Sequence, residues 1–338
     1  MIDVTVVLLS SGLASTAVGP VEVFFSAGTF WNTCVGDTPE ARFTVRAVSV
    51  DREPVRCLSP LTLSPSHSIA DVEKTDLVFV QTGGLDVEAM LRNHAELVPW
   101  LRAQHSAGAH IAAVCTGVAF PAAAGLLDGL RATTHWASAE EYARLFPKVD
   151  WQPEYIITED GRMFCGGGVN SATDLALYLV EKFCGHRVAL NAAKALLVDM
   201  PRVYQSGYAL LPLSPPHSDD RIRDAETYIQ ANFREELRIN DIADRVGMSP
   251  RNFTRRFKSA TGKLPGAYLQ ELRIAAARER LENNRDSVQT IAHDVGYEDV
   301  AFFRRLFKRR TGMVPAEYRS RFGLRAMHPP ETAGPGVI

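Results

Sequence analysis

The chain has 338 residues, 46% of them hydrophobic and 22% charged, the balance of an ordinary globular protein of two or three domains. Its formal charge of -2 hides an asymmetry: residues 1–219 carry 15 Lys+Arg against 23 Asp+Glu, a net of -8, while residues 220–325 carry 22 against 15, a net of +7. A basic module joined to an acidic one implies that only the C-terminal part meets a polyanion. Five cysteines (Cys34, Cys57, Cys115, Cys165, Cys184) are scattered and odd in number. That pattern argues against a disulfide framework or a zinc site, and no metal or cofactor is expected. No basic n-region precedes the first apolar run, so a signal peptide is not expected. Residues 107–127 hold no charge apart from His110, but Gly108, Gly117, Pro121 and Gly125 interrupt them. That argues against a membrane span and for a cytoplasmic setting.

Along the first 200 residues, strand and helix signals alternate. Val4 to Leu9 is a buried-strand run, and Gly19-Pro20 is expected to open a helix through Val23, Phe24 and Phe25. Phe43 to Val50 and Leu77 to Val80 read as strands, and Asp86 to Gln104 as one amphipathic helix. Ala109 to Val114 is a strand, Thr116 to Leu127 a helix, and Tyr155 to Thr158 with Met163 to Cys165 a hairpin. Ser171 to Cys184 and Arg187 to Met200 are further helices. This alternation predicts an α/β fold, a doubly wound and mostly parallel sheet covered on both faces.

Such sheets bind small ligands at the carboxyl ends of their strands. Cys115 stands there, where a strand turns sharply into a helix in Val114-Cys115-Thr116-Gly117. This is the setting of a nucleophile elbow, with helix amides that favour a thiolate. Glu22 lies in the helix after the first strand, and His135 follows in Ala132-Thr-Thr-His-Trp136. Gly83 and Gly84 follow the strand ending at Val80. Their N–H groups, with that of Thr116, are expected to hold a carboxylate or an oxyanion. The plainer alternatives are a small core cysteine, a first-turn carboxylate, a packed histidine and a simple glycine turn.

Pro212 to Ser218 holds three prolines in five residues and reads as an extended linker. The expected division is a sensor and dimerisation domain over 1–200, a linker over 201–219, a DNA-binding domain over 220–322 and a disordered tail over 323–338. The C-terminal module repeats itself. Ile242, Ala243, Val246 and Gly247 recur 49 residues later as Ile291, Ala292, Val295 and Gly296. Phe253, Arg255, Phe257, Lys258, Thr261, Gly262, Pro265 and Tyr268 recur at an offset of 50. Each copy is a short helix, a turn at glycine and a second, basic helix, the architecture that enters a DNA major groove. Ser249-Pro250 and Glu298-Asp299 are expected to open the two second helices. A helix from Pro265 to Leu281 should join the copies and fix their separation.

On these motifs, residues 1 to about 200 resemble the ThiJ/PfpI, class I glutamine amidotransferase-like superfamily. The resemblance is carried by Cys115-Thr-Gly117, Ala124 to Gly129, Ala132 to Trp136 and Gly166 to Leu177. Residues 220–322 resemble the AraC/XylS type of DNA-binding domain, and the two in this order resemble GlxA-type transcription regulators. Two departures stand out: Gln81-Thr82 before Gly83-Gly84, where the family has an apolar residue and Pro, and Cys165-Gly-Gly-Gly168, where Ser or Thr with Ala is usual. The resemblance implies a non-catalytic sensor with Glu22, Gly83, Gly84, Cys115, Thr116 and His135 at the effector site, and an amino acid or quaternary amine as effector. It implies a homodimer through the N-terminal domain, an operator in double-stranded DNA as partner, and RNA polymerase as a further partner if the protein activates. Arg251, Thr254 and Arg255 of the first copy, and Val300, Ala301, Arg304 and Arg305 of the second, should face base edges. Lys258, Lys308, Arg309 and Arg310 are expected on phosphate, and Arg256 in solvent. The alternative is a hydrolase or hydratase with Cys115 as nucleophile, Glu22 as acid–base partner and His135 beside them, DNA binding being secondary.

Overall fold

The computed structural model describes residues 1–200 and 217–323. The rest of the expected linker and tail, residues 201–216 and 324–338, lies outside the described residues. The chain divides into two compact units, Met1–Ser206 and Gly207–Ile338.

In the first unit seven strands form one sheet: β1 (Ile2–Val7), β2 (Phe43–Ser49), β3 (His67–Ser68), β4 (Leu77–Val80), β5 (His110–Val114), β6 (Ile157–Asp160) and β7 (Met163–Gly166), in the spatial order β6-β7-β5-β4-β1-β2-β3. Neighbours are parallel except in the β6–β7 hairpin. Because strand side chains alternate, each strand feeds two cores. Val78, Val80, Ile111, Ala113 and Met163 point to one face, and Leu77, Phe79, Ala112, Val114 and Phe164 to the other. The second face is covered by α1 (Ser15–Ser26), which supplies Ala17, Val23 and Phe24. After α2 (Phe30–Val35), the first face is covered by α3 (Val87–Asn93), α4 (Leu97–Ser106), α5 (Ala119–Ala123) and α6 (Ala139–Leu145). The second face is completed by α7 (Ser171–Cys184) and α8 (His186–Leu196).

Several boundaries differ from the expected ones, among them three helix openings. The first helix begins at Ser15, so Pro20 lies inside it and is buried. The single helix expected over 86–104 is two, because Pro99 has no N–H to give and its ring excludes a helical carbonyl at Ala95; α4 starts only two residues ahead of it. The helix expected over 116–127 opens as a 3-10 turn, Cys115–Val118, before α5.

The second unit is all helical: α9 (Asp220–Asn232), α10 (Ile239–Arg245), α11 (Pro250–Thr261), α12 (Pro265–Asn283), α13 (Val288–Asp294), α14 (Val300–Thr311) and α15 (Pro315–Phe322). It has two small cores that repeat each other. Phe253, Phe257 and Tyr268 stack in one, with centroids 5.4 and 5.3 Å apart, and Phe303, Phe307 and Tyr318 in the other, at 5.7 and 5.4 Å. Each basic helix ends on a left-handed glycine, Gly262 (φ +74) and Gly312 (φ +77), where a side chain would be strained. The connector α12 belongs to both cores: Tyr268 packs in the first, and Ile274, Ala277 and Leu281 in the second. Arg273 of α12 ties the halves together by donating to Phe233 O (2.7 Å), Glu235 O (2.7 Å) and Gly296 O (2.9 Å).

Candidate functional sites: a neutral cavity and an arginine-bearing surface

The loops after β1, β4 and β5 meet through glycines. A Cβ on Gly12 would lie 2.0 Å from Thr82 O, and one on Gly117 2.1 Å from Gln81 O, so only glycine permits this approach. Cys115 follows β5 with φ +53, the strained conformation of an elbow. Thr134 Oγ1 donates to Cys115 O (2.9 Å) and Tyr142 Oη to Thr116 O (2.7 Å), which pins the turn.

Beside the elbow is a cavity of about 200 Å³, lined by Ser11, Leu13, Leu58, Thr82, Gly83, Leu85, Cys115, Thr116, His135, Ala137, Ser138 and Val169. Gly83, Cys115, Thr116 and His135 are thus brought together. Glu22 and Gly84 are not among the lining residues, and Glu22 is exposed on the outer side of α1. The helix's earlier start accounts for this. The side chain of α1 that reaches the strand ends is Thr16, whose hydroxyl lies 3.0 Å from that of Thr82. The Gly83 amide is also engaged otherwise than expected: it donates to Thr116 Oγ1 (3.1 Å), which donates back to Gly83 O (3.2 Å). An anion would have to displace that hydroxyl.

The expected thiolate is not favoured either. Burial pushes the Cys115 thiol up to about 11, against a smaller opposing effect from the Thr116 N–H. Burial also lowers the pKa of His135. Its Nδ1 accepts the N–H of Ala137 (3.2 Å), which leaves the proton of the neutral ring on Nε2, and the ring leans on Trp136 at 5.3 Å.

On the second unit, α11 and α14 bury Phe253 and Phe257, and Phe303, Leu306 and Phe307, and turn their basic residues outward. Arg251, Arg255, Lys258, Ala301, Arg304, Arg305, Lys308 and Arg309 are exposed, and Thr254 and Val300 are half-buried. Thr254 Oγ1 donates to Pro250 O (2.9 Å), and Arg255 donates to Asn252 Oδ1 (2.9 Å). Arg256 is not free in solvent as expected: it grips Asp219, the N-cap of α9, through two bonds of 2.9 and 2.8 Å. Burial raises the Asp219 pKa, but the Arg256 guanidinium and the Ile222 N–H outweigh it and hold the carboxyl below its ordinary value. Arg310, expected on phosphate, is half-buried and pairs with Glu271 of α12 at 3.5 Å. Ser249 makes no side-chain cap, whereas Asp299 accepts from the N–H groups of Ala301 and Phe302. Sequence reasoning passed over Asn252, which orients Arg255, and Phe302, which is 39% exposed on α14. The offset of 50 that aligns Phe253 with Phe303 also aligns these two, and it held the signal.

An α/β domain with a strained cysteine elbow, followed by paired arginine-bearing helix-turn-helix units, defines a class of two-domain proteins. Residues 16–182 match the DJ-1/PfpI family, and residues 242–321 match a helix-turn-helix domain. The chain thus carries a DJ-1/PfpI domain in its first unit and an AraC-type helix-turn-helix domain in its second. It is 25% identical over 292 residues to the HTH-type transcriptional regulator CdhR of Pseudomonas aeruginosa, covering 86% of this chain and 84% of that one. It is 34% identical over 142 residues to the isonitrile hydratase of Pseudomonas putida, covering 42% of this chain and 60% of that one. The crystal structure of an AraC family transcriptional regulator from Pseudomonas putida superposes with a TM-score of 0.50 at 23% identity, covering 58% of this chain and 100% of that one, a likeness of fold.

Proposed function

We propose that the chain is a sequence-specific DNA-binding transcription regulator, with a small metabolite in the cavity beside Cys115 as its effector and α11 and α14 as its DNA readers. One observation carries this: two equivalent helices present Arg255 and Arg305 outward, each braced by its own aromatic core. A guanidinium so placed can grip guanine through two hydrogen bonds, and Val300 or Ala301 can meet a thymine methyl. The similarity to CdhR over most of both chains supports the same reading. For the effector to act, it must bind one state of the protein better than the other. The protein acts in the cytoplasm as a homodimer through its first unit. Phe25 (70% exposed), Phe30 (45%) and Val35 (51%) supply an apolar surface for that pairing. If it activates, RNA polymerase is a further partner. Selection of duplexes from a random pool by the full-length chain tests the regulator reading. Enrichment of a common sequence supports it, and retention of all duplexes alike contradicts it.

The similarity to isonitrile hydratase favours a second reading, catalysis by Cys115. Against it stand a thiol held protonated by burial and a Glu22 carboxylate exposed away from the cavity. Cys115→Ala separates the two. A sensor keeps DNA binding and has no turnover to lose, whereas an enzyme loses turnover altogether.

A further inference from the structure

The chemistry of the cavity wall restricts what can enter it; the inference rests on the reading of this cavity as the effector site. At about 200 Å³ it lies below the ~300–1,000 Å³ of drug-sized pockets, which leaves room for a small metabolite only. Among the described residues, none that lines it is Asp, Glu, Lys or Arg. Part of its polar wall is already committed: the Gly83 N–H to Thr116, and the Thr82 hydroxyl to the Leu13 N–H (3.1 Å) and the Thr16 hydroxyl (3.0 Å). The polar groups that remain are neutral, namely the Ser11 and Ser138 hydroxyls, the Cys115 thiol and the His135 imidazole. With Nδ1 of His135 taken by the Ala137 N–H, its Nε2–H is a donor that remains for a ligand beside the two serine hydroxyls. Leu13, Leu58, Leu85 and Val169 make the rest of the wall apolar.

We infer that the cavity selects a small uncharged molecule, an apolar body of a few carbons bearing one hydrogen-bond acceptor, such as an amide or ketone carbonyl or a nitrile, that takes the Nε2–H of His135. A carboxylate or a quaternary ammonium entering here would shed its water with no opposite charge among the described lining residues to replace it. The effector class therefore departs from the amino acids and quaternary amines implied by family resemblance.

Butyramide, butyrate and butylammonium share one carbon chain and differ in charge. Each is titrated into the full-length chain and followed by saturation-transfer NMR and by the shift in melting temperature. Butyramide is expected to bind at least tenfold tighter than either ion. His135→Phe should lower butyramide affinity at least tenfold, and His135→Asn, which restores an N–H donor, should recover part of it. Equal or tighter binding of butyrate or butylammonium overturns the inference, as does butyramide binding that ignores His135→Phe, or no binding of any of the three. Duplex selection on the same preparation keeps the two readings apart. A chain that selects DNA yet prefers an ion loses only the ligand class, and one that selects no DNA loses the regulator reading.

Discussion

The two reader helices share a scaffold and differ in how freely their side chains move. In α11 the polar face is held from within: Thr254 on Pro250 O, Arg255 on Asn252, and Arg256 on Asp219. In α14 the residue equivalent to Arg256 is Leu306, buried in the core, and the residue equivalent to Asn252 is Phe302. Among the described residues, Arg304, Arg305, Lys308 and Arg309 have no ion-pair partner within 4.0 Å. A pre-oriented guanidinium loses less freedom on docking, whereas unpaired cations attract phosphate from further away. One duplicated motif thus supports two styles of contact, an oriented reader and a steering one.

The turns should break this pairing most strongly. Gly296 and Gly247 both have positive φ, at +91 and +66. A Cβ on Gly296 would lie 2.7 Å from Arg234 O and 2.9 Å from the Arg273 guanidinium, while the nearest atom to one on Gly247 is 3.9 Å away. Gly296→Ala is expected to cost roughly 3 kcal/mol of stability and Gly247→Ala about 1 kcal/mol. Urea melts of both variants check the ranking, and equal costs would erase it. Next in size, Arg255→Ala and Arg305→Ala should each remove about 1–3 kcal/mol of discrimination at the base pairs they read. Undiminished operator selectivity in a gel-shift series counts against them as readers. Asn252→Ala should reduce selectivity by about 0.5–1 kcal/mol and leave nonspecific binding alone; a uniform loss on all sequences contradicts its orienting role. Lys308→Ala should weaken all sequences alike and shallow the log K against log salt slope by about 0.9. A loss confined to the operator would move it from phosphate to base.

The Asp219–Arg256 pair adds a pH test. The carboxyl is held below its ordinary value, so its stabilisation is present above that value, ~3.9, and is lost as pH falls through the lower folded one. Asp219→Asn should therefore be less stable than the parent chain at neutral pH, and the gap should close in acid. A gap of the same size at both would remove the pair from the stability of α11.

Repetition made the second unit legible. The aromatic, glycine and proline positions recur because each copy must build the same small core and end its helices the same way. The parallel sheet was legible from alternating apolar runs, and the elbow from a strand of small residues meeting Cys115-Thr-Gly. Contacts distant in the chain were not. Asp219 and Arg256 stand 37 residues apart and nothing local joins them. Glu22 was misplaced because its direction depends on where α1 begins, and a proline that usually opens a helix sits inside this one. The neutral character of the cavity was hidden for the same reason, since Ser11, Leu58, His135 and Val169 meet only when the sheet is built.

The most direct test is a base-pair substitution scan of a selected duplex, read by fluorescence anisotropy with the parent chain, Arg255→Ala and Arg305→Ala. The expected result is two clusters of sensitive base pairs about one helical turn apart, ~10 base pairs, with one cluster silenced by each variant. A single cluster, or the same positions silenced by both variants, would contradict a duplicated reader on adjacent grooves.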